Sequence, residues 1–214
     1  MKNGLFISFD GPDGSGKSST MAFIGHLLQE KGYSVVLTKE PGGDEIGQQI
    51  RQILLNPMNQ EIHPITEAFL YAADRAQHVQ KIILPALQAG KIVLCDRYVD
   101  SQIAYQGYGR GFLSKDFLYD LNHMASGGLL PDLTLLLLVK PEIGLMRSKI
   151  RDHGQSDRME QEAFAFHQKT CQGYLDLAKE HPQRIFTVDA EKPQAEVVEI
   201  CWQKISSFLK EQGK

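Results

Sequence analysis

Cysteine is scarce in this sequence. Cys95, Cys171 and Cys201 lie far apart and form no CxxC pair. An odd number of thiols without metal-ligand spacing argues against a disulfide framework and against zinc. Free thiols suit a reducing compartment, so a cytoplasmic location is expected. Excess positive charge is missing too: 23 Lys and Arg against 26 Asp and Glu leave a formal net charge of −3. That argues against a broad basic face for DNA or RNA and leaves room for local cations. Long hydrophobic runs are absent. The most apolar stretch, 129–139, carries Pro131 and Asp132 and is too short to span a bilayer, so no membrane partner is expected. The first apolar run is broken by Asp10 and has no small-residue cleavage site; it reads as a strand, not a signal peptide. No internal repeat, low-complexity tract or interdomain linker is present. With 42% hydrophobic and 23% charged residues, the 214 residues suit one soluble domain spanning 1–214.

Five short apolar segments are present, at 5–9, 34–38, 92–95, 133–139 and 185–188. They show little polar alternation and are separated by helical patterns, which implies a parallel sheet covered on both faces. Right-handed crossovers make this a doubly wound α/β fold. Helices are expected over 17–31, 44–55, 64–88, 100–105, 114–125, 142–151, 159–179 and 193–210. Pro85 disturbs the last turn of the long 64–88 helix. Segments 40–60, 97–113 and 147–158 read as substrate-binding and lid insertions.

Gly11-Pro12-Asp13-Gly14-Ser15-Gly16-Lys17-Ser18, followed by Ser19, fits G-x-x-x-x-G-K-[ST] between a strand and a helix. Glycines let successive N–H groups point at phosphate oxygens, and the helix N-terminus adds its dipole. Lys17 supplies charge near the β- and γ-phosphates of ATP, and the Ser18 hydroxyl can ligate Mg²⁺. Segment 92–96 resembles a Walker B strand ending at Asp96, a second candidate Mg²⁺ contact, directly or through water. A guanine-reading N-K-x-D motif is absent, and the chain lacks room for the added elements of a motor. A small-molecule kinase and a non-catalytic nucleotide switch are the readings left.

The acceptor side is carried by Asp96-Arg97-Tyr98-Val99-Asp100-Ser101-Gln102-Ile103-Ala104-Tyr105-Gln106-Gly107, by Glu40-Pro41-Gly42-Gly43 and by Asp157-Arg158-Met159-Glu160-Gln161-Glu162. In this order, together with the P-loop opening Phe9-Asp10-Gly11-Pro12-Asp13-Gly14, these segments resemble the thymidylate kinase family over essentially the whole chain. Read from chemistry alone, Arg97 offers a bidentate fork to an acceptor phosphate. Ser101/Tyr105 and Gln102/Gln106 are i,i+4 pairs on shared helix faces, and the Gln106 amide can donate and accept. Tyr71, Arg75 and His78 share one face of the long helix, His78 serving packing.

The resemblance implies a sheet order of 2-3-1-4-5 and transfer of the γ-phosphoryl of ATP to dTMP with Mg²⁺, giving dTDP and ADP. It also implies a homodimer through packed helices. Tyr71 would stack on thymine, Arg75 contact a base carbonyl, and Gln102 and Gln106 lie near the base. Tyr105 would lie under the sugar, Asp13 hold the 3′-hydroxyl, and Glu40 and Arg51 line the dTMP pocket. Asp10 would support the loop. The loop 189–193 lies by family position near adenine. Gly14 stands where some relatives carry Arg, so the catalytic cations would come from a lid of about 147–158: Arg147, Lys149, Arg151 and Arg158. Another pyrimidine-nucleotide P-loop kinase is the nearest alternative.

Overall fold

The computed structural model describes residues 4–151 and 153–213. Residues 1–3, the start of the expected N-terminal strand region, Asp152 in the polar gap of the expected lid, and Lys214 lie outside the described residues. The strands are β1 (Leu5–Asp10), β2 (Val35–Lys39), β3 (Ile92–Asp96), β4 (Leu133–Leu138) and β5 (Ile185–Asp189). All pair in parallel, in the order β2-β3-β1-β4-β5. The continuous apolar runs of β1, β3 and β4 result from cover on both faces, while β2 at the sheet edge is half-buried. Leu5, Ile7 and Phe9 of β1 point to one face, under α1 (Lys17–Glu30), where Ile24 and Leu28 meet Cys201 and Ile205 of the C-terminal helix. Phe6 points to the other face and packs with Val93, Cys95 and Tyr98. This alternation is the strand period of two, turned to two cores instead of one core and solvent.

The remaining early helices are α2 (Glu45–Leu55), capped by Asp44, which accepts from Gly47 N at 2.8 Å, and α3 (Pro64–His78), with proline in its first turn. The rod expected over 64–88 is present but not uniform. It passes through a π-helical turn at Val79–Ile83 before α4 (Leu84–Gln88). Pro85 has no N–H and its ring would crowd the Lys81 carbonyl; the widened turn, in which Leu84 N–H reaches back to Val79 O, absorbs that conflict.

A second departure comes after β3. The helix expected over 100–105 is a short α5 (Val99–Gln102) that continues as a π-helical stretch, Ile103–Gly109. Next come α6 (Lys115–Ser126), α7 (Pro141–Arg151), α8 (Phe164–Glu180) and α9 (Gln194–Glu211). The helix expected from 159 therefore starts five residues late. Asp157 Oδ1 accepts from Met159 N at 2.9 Å and Glu160 N at 3.0 Å, and this side-chain turn competes with helix. Chain order reverses at β1, which has β3 on one side and β4 on the other. The crevice at the carboxyl ends of these strands is where ligands bind in open α/β sheets. No helix among the described residues is long and apolar enough to cross a membrane.

Candidate active site

That crevice is a cleft of about 620 Å³. Four strand ends build it: β1 leads into the P-loop, β2 into the Glu40–Pro41 loop, β3 into Arg97, and β4 into α7. From the P-loop, Asp13, Gly14, Gly16, Lys17, Ser18 and Ser19 line it, while Gly11, Pro12 and Ser15 form the backing turn. Lys17 Nζ donates to Pro12 O at 2.8 Å and to Ser15 Oγ at 3.3 Å. Burial, then the neighbouring Arg97 charge, pulls its ammonium down to about 8, against the opposite pull of Asp96, Asp13 and Asp10. Incoming phosphate oxygens would favour the charged ammonium and oppose that pull. The Ser18 hydroxyl donates directly to Asp96 Oδ2, so the two expected Mg²⁺ contacts meet.

Gly14 sits at φ +70°, and a Cβ there would run into the carbonyl of Gly144 in α7. Helix α7 thus lies directly on the P-loop, which leaves no space for a side chain at position 14.

Arg97 closes the floor. Its backbone is left-handed, φ +70°, and its N–H donates to Phe9 O at 2.9 Å. The guanidinium donates to Gly11 O at 2.9 Å, Tyr174 Oη at 3.2 Å and Tyr105 Oη at 3.1 Å, and pairs with Asp13. Tyr105 Oη in turn donates to Asp13 Oδ2 at 2.7 Å. Burial would raise the Asp13 carboxyl, but Arg97, Lys17 and the Tyr105 hydroxyl outweigh it and hold Asp13 at about 2. Asp10 lies behind, accepting from Ser101 Oγ at 2.6 Å, and burial with the nearby Asp100 charge raises its pKa.

The acceptor wall is formed by α3 and the α5–π segment. Arg51, Tyr71, Arg75, Ser101, Gln102, Tyr105 and Gln106 all line the cleft, as does Glu40. Arg75 is locked in place: Nε donates to Glu40 Oε2 at 2.9 Å, and Nη1 contacts the carbonyl oxygens of Gln102 and Asn122. Gln102 Nε2 donates to Ala68 O at 2.9 Å, so both ends of this amide are engaged within the protein. Gln102 thus helps to orient Arg75, and one N–H and one oxygen lone pair of its amide remain for a base. His78 packs as expected, buried between Thr38 and Glu40. Asp74 anchors the loop after β2 through Gly42 N at 2.8 Å, its carboxyl pushed up to about 6 by burial and by Glu40.

The lid cations separate. Arg147 and Arg151, on one face of α7, both line the cleft. Lys149 does not: it is exposed beside Leu145, Met146 and Phe164 in a shallow groove on α7's other side. Arg158 is a correction. It is 2% exposed, donates to Leu54 O at 2.7 Å and Glu67 Oε2 at 2.6 Å, and is not a cleft residue. The turn started by Asp157 tucks it under α2 and α3, where the buried Glu67 carboxylate needs cationic partners.

Sequence reasoning missed Glu67, Asn122 and Tyr174. Glu67 was within reach of the pattern, because it precedes Tyr71 and Arg75 at steps of four on the same helix face. Asn122 and Tyr174 come from distant helices, and no local spacing announces them.

Residues 9–200 match the family profile described as thymidylate kinase. A protein named thymidylate kinase from Latilactobacillus sakei subsp. sakei is 50% identical over 204 residues, 95% of this chain and 95% of its own. The protein of that name from Exiguobacterium sp. is 47% identical over 190 residues, 89% and 88% of the two chains. Its counterpart in Syntrophotalea carbinolica is 48% identical over 209 residues, 96% of each. The chain belongs to the thymidylate kinase family. Family order accounts for the run of P-loop, EPGG loop, DRY segment and lid-exit turn around one cleft.

Proposed function

We propose that this chain is an ATP:dTMP phosphotransferase, making dTDP and ADP as a step towards dTTP, and that 1–214 acts as one P-loop kinase domain with a lid at about 147–158. The carrying observation is that a P-loop and a pocket walled by Arg51, Tyr71, Arg75, Arg97, Tyr105 and Gln106 open into the same cleft. A donor and an acceptor nucleotide can then meet across it.

The acceptor phosphate oxygen is already a nucleophile, so no covalent enzyme intermediate is needed. Positioning and charge stabilisation carry the reaction. Lys17 and the P-loop N–H groups hold the donor phosphates. Arg97 holds the acceptor phosphate, Asp13 accepts from the sugar 3′-hydroxyl, and Tyr71 lies against the base. Arg151 and Arg147 bring cations to the transferring group. Ser18 and Asp96 fit Mg²⁺, which takes one or two protein oxygens and leaves its other positions to phosphates and water. Bound there, the ion would neutralise charge on the β- and γ-phosphates.

Two copies would join through α2, α3 and α6, where Ile46, Ile53, Phe69 and Met124 are exposed. A cytoplasmic location fits three free thiols.

A coupled ADP-release assay with dTMP, dUMP, UMP, CMP and AMP tests the reading. dTMP is expected to have the highest kcat/KM. Faster turnover of another pyrimidine nucleotide would favour the neighbouring kinase reading, and no turnover of any would favour a nucleotide switch.

A further inference from the structure

Glu67 is fully buried in the first turns of α3, yet it carries a carboxylate. Four donors converge on it. Oε1 accepts from Gln106 Nε2 at 2.9 Å and Arg110 Nε at 3.0 Å; Oε2 accepts from Arg110 Nη2 at 2.8 Å and Arg158 Nη2 at 2.6 Å. With two arginines beside it the group stays ionised, and its pKa is lowered despite the opposing effect of burial. An ionised carboxylate can only accept.

This restricts Gln106. A side-chain amide has a nitrogen end and an oxygen end of nearly equal shape, and its hydrogen-bond partners decide which way it faces. Against Glu67, only the nitrogen end can be turned inward. The other end of the same planar amide is Oε1, which has no hydrogen-bond partner among the described residues, and Gln106 lines the acceptor cleft.

We propose that Glu67 is a specificity-positioning residue: by holding the Gln106 nitrogen it turns the amide oxygen to the base pocket and selects a pyrimidine whose edge carries a ring N–H. Thymine and uracil present N3–H to such an oxygen. Cytosine presents an N3 lone pair, so two acceptors would oppose each other, a repulsive element against the wrong base. Glu67 touches no substrate and acts through Gln106. The inference rests on the reading of Gln106 as a base-facing residue.

Calorimetric Kd values for dTMP and dCMP test it, read as the ratio of the two in wild type, Glu67→Gln, Arg110→Ala, Gln106→Leu and the exchanged pair Glu67→Gln/Gln106→Glu. Glutamine at 67 can donate or accept, which frees the Gln106 amide to turn over. The preference for dTMP is expected to fall about tenfold or more. Arg110→Ala removes two ion pairs, with Glu67 and Glu162, and leaves the Glu67–Gln106 bond, so it should lower stability and keep the preference. The exchanged pair restores an acceptor-only group at 106 and should recover the preference; it also carries the test if Glu67→Gln alone fails to fold. Equal weakening of both nucleotides in Glu67→Gln, or loss of preference in the exchanged pair, overturns the inference. If Gln106→Leu abolishes the preference while Glu67→Gln keeps it, only the role of Glu67 falls. If Gln106→Leu keeps the preference, Gln106 does not read the base, and both fall together.

Discussion

Arg97 stands in a left-handed conformation that costs a non-glycine residue on the order of 1–3 kcal/mol. It stays there because the surroundings over-determine it: its N–H is fixed on β1, and its guanidinium is gripped by Gly11, Tyr174, Tyr105 and Asp13. The same grip fixes Tyr105. Its hydroxyl is engaged by Asp13 and Arg97, and its ring lies against the Arg97 guanidinium at 4.9 Å. A ribose 2′-hydroxyl packed against that ring would meet carbon and lose its water. Such an unpaired hydroxyl costs roughly 1–3 kcal/mol, so kcat/KM for dTMP should exceed that for ribothymidine monophosphate by about tenfold or more. Tyr105→Phe keeps the ring and should keep the preference while lowering both values, because Asp13 loses a partner. Tyr105→Ala should lose the preference. Equal kcat/KM for the two nucleotides on the wild-type enzyme would sink this account of the sugar site. Lys17, Ser18 and Arg97 were legible as cleft residues because P-loop and strand-end chemistry tie residue type to position, whereas Tyr105 came from the family resemblance. The backbone strain at Arg97 was not, since any L-residue there would look the same in sequence.

At the scale of elements, α7 carries the two arginines proposed as catalytic cations. Gly14 and Gly144 bring P-loop and lid helix into backbone contact: a Cβ at Gly144 would meet the Asp13 carbonyl. Arg147 and Arg151 then project from the same helix into the cleft, with Arg147 anchored on Ala190 O at 2.7 Å and Arg151 on Glu160 at 3.0 Å. Arg151 is 61% exposed at its side chain and can reorient when nucleotides bind. A contact made only as the phosphoryl group transfers lowers the barrier and leaves ground-state binding largely alone. Arg151→Ala should therefore reduce kcat sharply, on the order of 10²-fold, with little change in KM for dTMP. Lysine at 151 should rescue only in part, because a point charge cannot span two oxygens. Arg97→Ala is the contrast and should raise KM as well. Steady-state kinetics on the three variants checks this, and wild-type kcat in Arg151→Ala would move the transition-state cation elsewhere. Helix α7 itself was legible from 142 to 151. The turn beyond it was not, because Asp157 diverts the chain away from helix and hides Arg158 behind α2. The π-helical stretches were equally hidden: helical periodicity in sequence does not distinguish i→i+4 from i→i+5 hydrogen bonding over one or two turns.

At the scale of the molecule, the sheet was legible because five apolar runs without alternation admit few arrangements, and right-handed crossovers remove most of those. Strand order came from the family resemblance, and the pairing of β1 with both β3 and β4 agrees with it. How copies associate is a separate matter, since a buried helix face and a dimer face share one periodicity. Exposure bears on which face is which. α3 packs inward on the sheet side through Ala68 and Ala72 and flanks both α2 and α6, yet Phe69 on its outer side is 51% exposed. Ile46 and Ile53, two turns apart on α2, and Met124 on α6 are 53%, 46% and 71% exposed. Large exposed apolar side chains on neighbouring helices are the kind of surface that another protein can cover. A second copy would bury them across a two-fold axis, each helix set meeting itself. Phe69→Glu and Ile53→Lys should then shift sedimentation from dimer to monomer at micromolar concentration, because each places a charge where apolar area must be desolvated. Residues of a single chain already line the cleft at the strand ends, so monomeric variants should retain measurable dTMP turnover. A wild-type chain that sediments as a monomer at the same concentration would end the dimer reading and leave the phosphotransfer reading untouched.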